Sequence, residues 1–362
     1  MCIRDRQYAP LAFLSYLVLY AGFGYDPFYF HMFSLLLHIG CVCLVWKLIS
    51  SLLRVHGGVS EKQILYVNFI TTLLFAVHPI NVEAVAWISA LKVLLYAFFY
   101  LLGLLCYLRY IRTSKIFYYV LTIGCFLCSF WGKEQAVTFP LALLIVDWFT
   151  NRNMKNLEVW SEKMSFLIMA FFFGIITVLS QGKGPYEMIF PLYQRLLFGC
   201  FALVEYITKS LLPVNLNFFY PFPIVLGEEP PLHYYLYPVV LLFLMGWIIA
   251  YRNNRYLVFG VLLFLVNLLF SIHLFNMSRH AIVADRYMYL SYVGIAFLIA
   301  NGIWWLRKRL SYFKAALVFL FFYCFFLSVY TFHYTKKWEN TTMVKKYTKE
   351  VLEKRLNGSN HL

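Results

Sequence analysis

The chain has 362 residues, of which 62% are hydrophobic, 21% aromatic and only 13% charged. Soluble domains average about 25% charged and roughly 45–50% apolar residues, so this composition excludes a soluble globular protein, a disordered chain and a fibrous repeat. The net charge of +15 arises from 31 Lys and Arg against 16 Asp and Glu. In a chain embedded in lipid, such an excess indicates basic cytoplasmic loops, and we predict no nucleic-acid partner.

A helix that crosses a bilayer needs about 20 predominantly apolar residues, with roughly 17–25 tolerated. Ten segments approach this requirement and predict an all-α polytopic membrane protein of about ten transmembrane helices. In chain order they are 28–53, 63–77, 91–109, 116–131, 134–149, 164–180, 233–251, 256–273, 287–305 and 315–333. The short segments 116–131 and 134–149 are interpreted as a tight helical hairpin. Segments 9–21 and 195–212 are also apolar but are not counted as spans.

The distribution of basic residues predicts the orientation of the chain. If the ten spans alternate in direction, about twice as many Lys and Arg residues fall in one set of loops as in the other. The richer set consists of 54–62, 109–115, 150–163, 252–255 and 306–314. Because cytoplasmic loops are the more basic ones, we assign this set to the cytoplasm. The opposite, outer face then carries the long connections and the clustered acidic residues, and segment 195–212 lies at its interface.

The first outer-face motif is residues 78–87, which read HPINVEAVAW. Pro79 stops the preceding helix, Asn81 can cap the next one, and Glu83 suits its positive N-terminus. A capped turn with a solvated glutamate is the structural alternative. A carboxylate and an imidazole at the mouth of a membrane protein are nevertheless candidate functional groups, so Glu83 and His78 are candidate site residues.

Two other groups of charged residues fall on the outer face. Lys133, Glu134 and Gln135 occupy the turn of the predicted hairpin. They are either ordinary polar residues of a turn or the lining of a water-filled cavity. Asp285, Arg286 and Tyr287 open the span 287–305. An Asp-Arg neighbour pair is often a structural salt bridge, but the planar guanidinium also suits phosphate. Further cationic and aromatic groups on this side are Arg195, Lys209 and residues 220–223. Together they suit an amphiphile with a phosphate head and a lipid tail.

The cysteines predict no metal or redox site. Cys125 and Cys128 have the C-x-x-C spacing, but no second pair and no histidines accompany them. Most of the other cysteines lie in apolar runs, where thiols pack as small hydrophobic side chains. No cofactor is assigned, and assistance by a divalent metal is left open.

Taken in order, these strings resemble the membrane domain of the transmembrane and tetratricopeptide-repeat (TMTC-type) family, which is related to protein O-mannosyltransferases of the GT-C fold. The matching elements are His31 with 34–38, HPINVEAVAW at 78–87, Lys133-Glu134 with Pro140 and Asp147-Trp148, Arg195 through Pro213 to Tyr220-Pro221, and ADRYMYL at 284–290. Ser34 and Ser291 depart from the family pattern. After Trp87 the family commonly has an Arg-Lys-Asp or Arg-x-Asp cluster, of which only Lys92 remains.

The resemblance implies a GT-C-like glycosyltransferase that moves a sugar, mannose in the related enzymes, from a polyprenyl-phosphate carrier to a protein or glycan acceptor outside the cytoplasm. Such enzymes use a carboxylate as general base and cationic side chains to hold the donor phosphate. The resemblance assigns donor-phosphate binding to Arg286, Lys92 and Arg195. The supporting polar residues are His78, Lys133, Glu134, Asp285 and Tyr287.

The resemblance also predicts the domain organisation. Enzymes of the GT-C fold carry their leading catalytic Asp in the first outer loop, and this chain resembles the family only from within that loop. We therefore expect residues 1–27 to be a remnant of the loop, 28–335 the membrane domain, and 336–362 an outer tail that starts a repeat region. The catalytic Asp is expected upstream, with Glu83 and Asp26 as candidates within the chain, and the chain as printed is expected to be inactive.

Two other function classes stay open. A non-catalytic membrane scaffold that anchors a repeat domain would explain the missing Arg and Asp after Trp87. A transporter would instead place ionisable groups near the membrane midplane, often in repeated halves, whereas the charges here collect at one face. The expected location is a bacterial inner membrane, or the endoplasmic reticulum for a eukaryotic source.

Overall fold

The computed structural model describes residues 9–181, 190–273 and 281–359. The α-helices of these residues are α1 (Pro10–Phe23), α2 (Pro27–His56), α3 (Glu61–Val77), α4 (Val82–Ala86), α5 (Leu91–Thr113), α6 (Ile116–Gly132), α7 (Phe139–Phe149), α8 (Leu157–Gln181), α9 (Leu192–Leu211), α10 (Leu236–Ala250), α11 (Arg255–Leu268), α12 (Met288–Trp305), α13 (Leu310–Thr335) and α14 (Thr341–Ser359). Two short strands, β1 (Tyr220–Pro221) and β2 (Ala281–Val283), pair in antiparallel fashion. The chain is therefore an all-α polytopic membrane protein, as predicted.

Each of the ten predicted segments contains a helix, but the count of ten spans is not confirmed. In the described ranges, six helical segments are long and apolar enough to cross a membrane, or seven if α3 and the bent helix after it form one span. The helices α6 and α11 have 17 and 14 residues. At 1.5 Å per residue they reach about 25 Å and about 21 Å, less than the roughly 30 Å of a hydrocarbon core.

The first helix belongs to the apolar segment 9–21, which was not counted as a span. Helix α1 has 14 residues and packs against α5 and α6. The Tyr16 hydroxyl donates to the Ile88 carbonyl oxygen at 2.6 Å, which fastens α1 beside the start of α5. With 14 residues, α1 is about 21 Å long, which is shorter than the roughly 30 Å of a hydrocarbon core.

Local capping explains where several helices begin. The Asp26 carboxylate accepts from the Phe28 N–H at 3.0 Å and caps α2, and Ser60 caps α3 through the Gln63 N–H. Asn81 does not cap α4: its side-chain amide instead donates to the Phe75 carbonyl oxygen at 2.7 Å, back into the end of α3. This bond braces the bend of 51° between α3 and the helix that follows it.

The centre of the bundle is formed by α2, α3, α5, α11 and α12. Helices α11 and α12 approach each other closely at Gly260 and Gly294, where a Cβ on Gly294 would lie 2.5 Å from the Gly260 carbonyl oxygen. Small residues permit such close contact between membrane helices. At the rim, α10 has no buried residue, and its exposed apolar side chains are those expected of a helix that faces lipid.

Charged side chains collect at the two ends of the bundle. At the end predicted to be cytoplasmic, Lys163 Nζ lies 2.5 Å from Asp147 Oδ2, and both side chains are fully buried. The Tyr107 hydroxyl donates to Asp147 Oδ1 at 2.8 Å. Arg152 Nη1 lies 2.6 Å from Glu162 Oε2 and 3.2 Å from Asp147 Oδ1. This inner network ties α5, α7 and α8 together, and it includes the aspartate of the resembling Lys-Glu-to-Asp element.

Candidate functional site

The candidate site lies at the opposite end of the bundle, where three turns meet. Glu83 is carried by α4 after the bend at His78, and Lys133 lies between α6 and a 3-10 turn. Asp285 and Arg286 lie in the 3-10 turn before α12. Strand β2 leads into that turn, and the Tyr206 hydroxyl of α9 accepts from the Ala284 N–H at 3.2 Å. Residues that are far apart in sequence therefore share one surface.

The centre of the site is an ion pair between Glu83 and Arg286. Arg286 Nη1 lies 2.5 Å from Glu83 Oε1, and the Arg286 backbone N–H donates to Glu83 Oε2 at 2.7 Å. The Glu83 side chain is fully buried, whereas the Arg286 side chain is 21% exposed. Because a buried carboxylate needs a partner, this double contact holds the turn before α12 against α4.

Aromatic rings support the cations of the site. The Arg286 guanidinium carbon lies 5.3 Å from the centroid of the Trp87 ring and 5.2 Å from that of Tyr287. Lys133 Nζ lies 4.6 Å from the Tyr287 centroid. Cations within about 6 Å of an aromatic face are attracted by its quadrupole. Tyr287 is thus shared by two cationic side chains from different turns.

Asp285 pairs with a different set of residues. It is fully buried and accepts from the Tyr220 hydroxyl at 3.1 Å on each carboxylate oxygen. Lys209 Nζ lies 3.9 Å from Asp285 Oδ1 and 3.4 Å from the centroid of the Tyr220 ring. Burial lowers the pKa of Lys209, and the charge of Asp285 opposes that shift. Burial and the same carboxylate raise the pKa of Tyr220.

We refer to Glu83, Lys133, Lys209, Asp285 and Arg286 as the ionic cluster. In this set three cationic side chains face two carboxylates, and Glu205, half-buried one turn before Lys209 on α9, adds a further negative charge near Lys209. All but Arg286 are buried, so their charges are poorly screened by solvent. The carboxylates therefore orient the cations, and Arg286, the partly exposed cation of the set, is the group through which the cluster can contact an anion.

Two candidate residues from the sequence lie beside the ionic cluster. His78 is buried, its Nδ1 accepts from the Ile80 N–H at 3.2 Å, and its ring centroid lies 4.2 Å from that of the tilted Tyr292 ring. It therefore stabilises the bend after α3. Glu134 directly follows Lys133 and is half-buried.

The other candidates lie on other helices or helix caps. Lys92 lies in the first turn of α5 and is half-buried. Asp26 is exposed at the cap of α2. Arg195 lies in the first turn of α9, fourteen residues before Lys209, a separation of about 21 Å along a helix. Lys209 therefore contacts the ionic cluster from the far end of the helix that carries Arg195.

Several contact residues were not assigned as site residues from the sequence. Lys209 and Tyr220 appeared there only as groups on the predicted outer side, and Tyr206 was not singled out. A charged residue within a mainly apolar segment such as 195–212 is costly unless it finds a partner, so Lys209 could have been singled out on that ground. Within residues 9–181, 190–273 and 281–359, no three His, Cys, Asp or Glu side chains are grouped to hold a metal.

The chain is similar to several TMTC proteins. It is 29% identical over 185 residues to Protein O-mannosyl-transferase tmtc2 of Xenopus laevis, covering 49% of this chain and 21% of that protein. It is 33% identical over 161 residues to TMTC2 of Homo sapiens (42% and 18%) and 27% identical over 173 residues to Tmtc3 of Drosophila melanogaster (42% and 19%). The chain thus spans about a fifth of the length of these relatives. No protein-family model matches it. No solved structure matches it.

Proposed function

We propose that this chain, which is 29–33% identical to TMTC proteins over 161–185 residues, is the membrane domain of a TMTC-type mannosyltransferase. The donor is mannose on a polyprenyl-phosphate carrier, and the acceptor is a hydroxyl group of a protein on the non-cytoplasmic side. The ionic cluster is the donor-phosphate site. The chain is a multi-pass membrane protein, placed in a bacterial inner membrane or, for a eukaryotic source, in the endoplasmic reticulum.

The proposal rests on the orientation and exposure of the Arg286 side chain. Its guanidinium is oriented by a buried carboxylate and two aromatic rings, yet the side chain remains 21% exposed. A guanidinium has five N–H donors, and a single carboxylate does not exhaust them. A partly exposed, pre-oriented guanidinium suits the planar, bidentate recognition of phosphate.

The surrounding residues have distinct roles in this proposal. Lys133 and Lys209 add positive charge beside Arg286 and favour the dianionic or monoanionic phosphate that leaves with the carrier. Glu83 orients Arg286, and Asp285 balances Lys209. Transfer also needs a general base for the acceptor hydroxyl, for which Glu83 and Asp26 are the candidates in this chain.

The test measures donor binding separately from transfer, because binding needs only the cations. The chain is purified in detergent micelles and titrated with radiolabelled polyprenyl-phosphate mannose, and transfer to serine- and threonine-containing peptides is then assayed. Arg286→Ala should weaken donor binding by about 1.5–3 kcal/mol, roughly ten- to a hundredfold, the usual worth of a hydrogen bond to a charged group. Arg286→Lys keeps the positive charge but lacks the planar guanidinium. Its donor affinity should lie between those of wild type and Arg286→Ala.

The matched control is Arg307→Ala at the other end of α12. The Arg307 guanidinium also lies on an indole ring, 4.5 Å from the centroid of Trp304. Its removal should leave donor affinity unchanged. If folded wild-type protein does not bind the donor, or if Arg286→Ala and wild type bind it equally, the ion pair is a structural bridge and the scaffold function is favoured.

A further inference from the structure

The chain after α13 turns back onto the outer end of the bundle. A 3-10 turn, Lys336–Trp338, follows α13 and places Trp338 in a buried position, 6% exposed. The Trp338 ring lies 5.5 Å from Phe218 and 6.0 Å from Trp87. Trp338 thus belongs to a small apolar cluster whose buried members are Val82, Leu216, Tyr334 and Trp338.

Trp87 connects this apolar cluster to the candidate site. One set of its neighbours is Phe218, at 5.2 Å between ring centroids, and Trp338. Its other neighbour is the Arg286 guanidinium, whose carbon lies 5.3 Å from the ring centroid. Trp87 follows the end of α4 in an extended conformation and is half-buried, so its orientation depends on the rings that pack against it. Trp338 is therefore two contacts away from the guanidinium.

A purely structural role for Trp338 would be to close the apolar surface between the bundle and α14. That role explains the contacts with Leu216 and Val344. It does not explain why an indole ring packs against Trp87, one of the two rings that support Arg286. Loss of a neighbour that fixes a cation–π partner changes how the cation is held, in addition to the packing energy.

We propose that Trp338 is a positioning residue: it holds Trp87 against the Arg286 guanidinium and so links the placement of the segment after α13 to donor binding. The link rests on the proposed function of Arg286 as the donor-phosphate ligand. A displacement of Trp338 would free Trp87, and Arg286 would then spend part of its time away from the orientation that Glu83 and the two rings impose. Donor affinity should fall while the chemical step is little affected.

The test compares three variants of the full chain. Trp338→Ala should raise the Kd of the chain for polyprenyl-phosphate mannose about three- to thirtyfold, the range expected for loss of a cation–π support. Trp338→Phe keeps a ring in contact with Trp87 and should restore most of the affinity. Phe332→Ala, from an exposed position one and a half turns earlier, should bind as wild type. If Trp338→Ala does not fold, Trp338→Leu takes its place in the test, because leucine keeps much of the apolar volume but has no ring.

A second measurement does not depend on donor binding. Amide hydrogen exchange in residues 82–87 and 285–287 should accelerate in Trp338→Ala, and not in Trp338→Phe or Phe332→Ala. If wild type binds no donor but this exchange pattern is observed, the proposed function fails and the link through Trp87 stands. If wild type binds the donor and Trp338→Ala has the same Kd and the same exchange, the inference is overturned. Equal weakening in Trp338→Ala and Trp338→Phe also overturns it.

Discussion

The inner network offers a quantitative test of the fold through Lys163→Met. Lys163 and Asp147 are both fully buried, and their charged atoms lie 2.5 Å apart. Methionine has a similar length and is apolar, so the variant removes the charge with little change in volume. Asp147 would then be a buried carboxylate that has lost its nearest cation.

The expected cost follows from the contacts that remain. Removing one partner of a buried pair typically costs about 3–5 kcal/mol. Asp147 would keep the Tyr107 hydroxyl, at 2.8 and 2.9 Å, and Arg152 Nη1 at 3.2 Å. Because these partners compensate part of the charge, we expect the free energy of unfolding to fall by about 3 kcal/mol, the lower end of that range. The double variant Lys163→Met with Asp147→Asn should cost less than the sum of the single variants.

The assay is reversible denaturant unfolding of the purified chain in detergent micelles. Arg54→Met is the control, because its pair with Glu61 is 55% and 77% exposed and should be worth less than about 1 kcal/mol. A loss below about 1 kcal/mol for Lys163→Met, or strict additivity in the double variant, would refute the idea that this network is a buried, interdependent unit.

Two further predictions address the orientation and the helix packing. In a cysteine-free background, cysteines introduced at Ser114 and Lys308 should be shielded from an impermeant thiol reagent in intact cells, whereas one at Glu228 should be labelled, since all three positions are exposed but lie at opposite ends of the bundle; labelling at Ser114 would reverse the assigned orientation. Gly294→Ala should destabilise the chain by about 1–3 kcal/mol, because its Cβ would lie 2.5 Å from a backbone oxygen of α11, whereas Gly302→Ala, with no heavy atom within 4 Å, should be tolerated in the same unfolding assay.

The positions of the helices were determined by the sequence alone. Each of the ten apolar segments contains a helix, because a chain in lipid must satisfy its backbone hydrogen bonds within each segment. The same apolar pattern predicted that Glu83, Lys133 and Arg286 fall at one end of the bundle, since the turns between helices alternate sides. The structure places these three residues in one cluster.

The choice of partners was decided only by the tertiary structure. Arg286 pairs with Glu83, which is 203 residues away, while its neighbour Asp285 turns to Tyr220 and Lys209. Asn81 braces the end of α3 instead of capping α4. Helical periodicity says which face of a helix is apolar, but it does not say which helices become neighbours, so contacts between distant turns cannot be read from it. The count of ten spans could not be fixed from the apolar segments either, because a span also depends on where each helix bends and ends relative to the thickness of the bilayer.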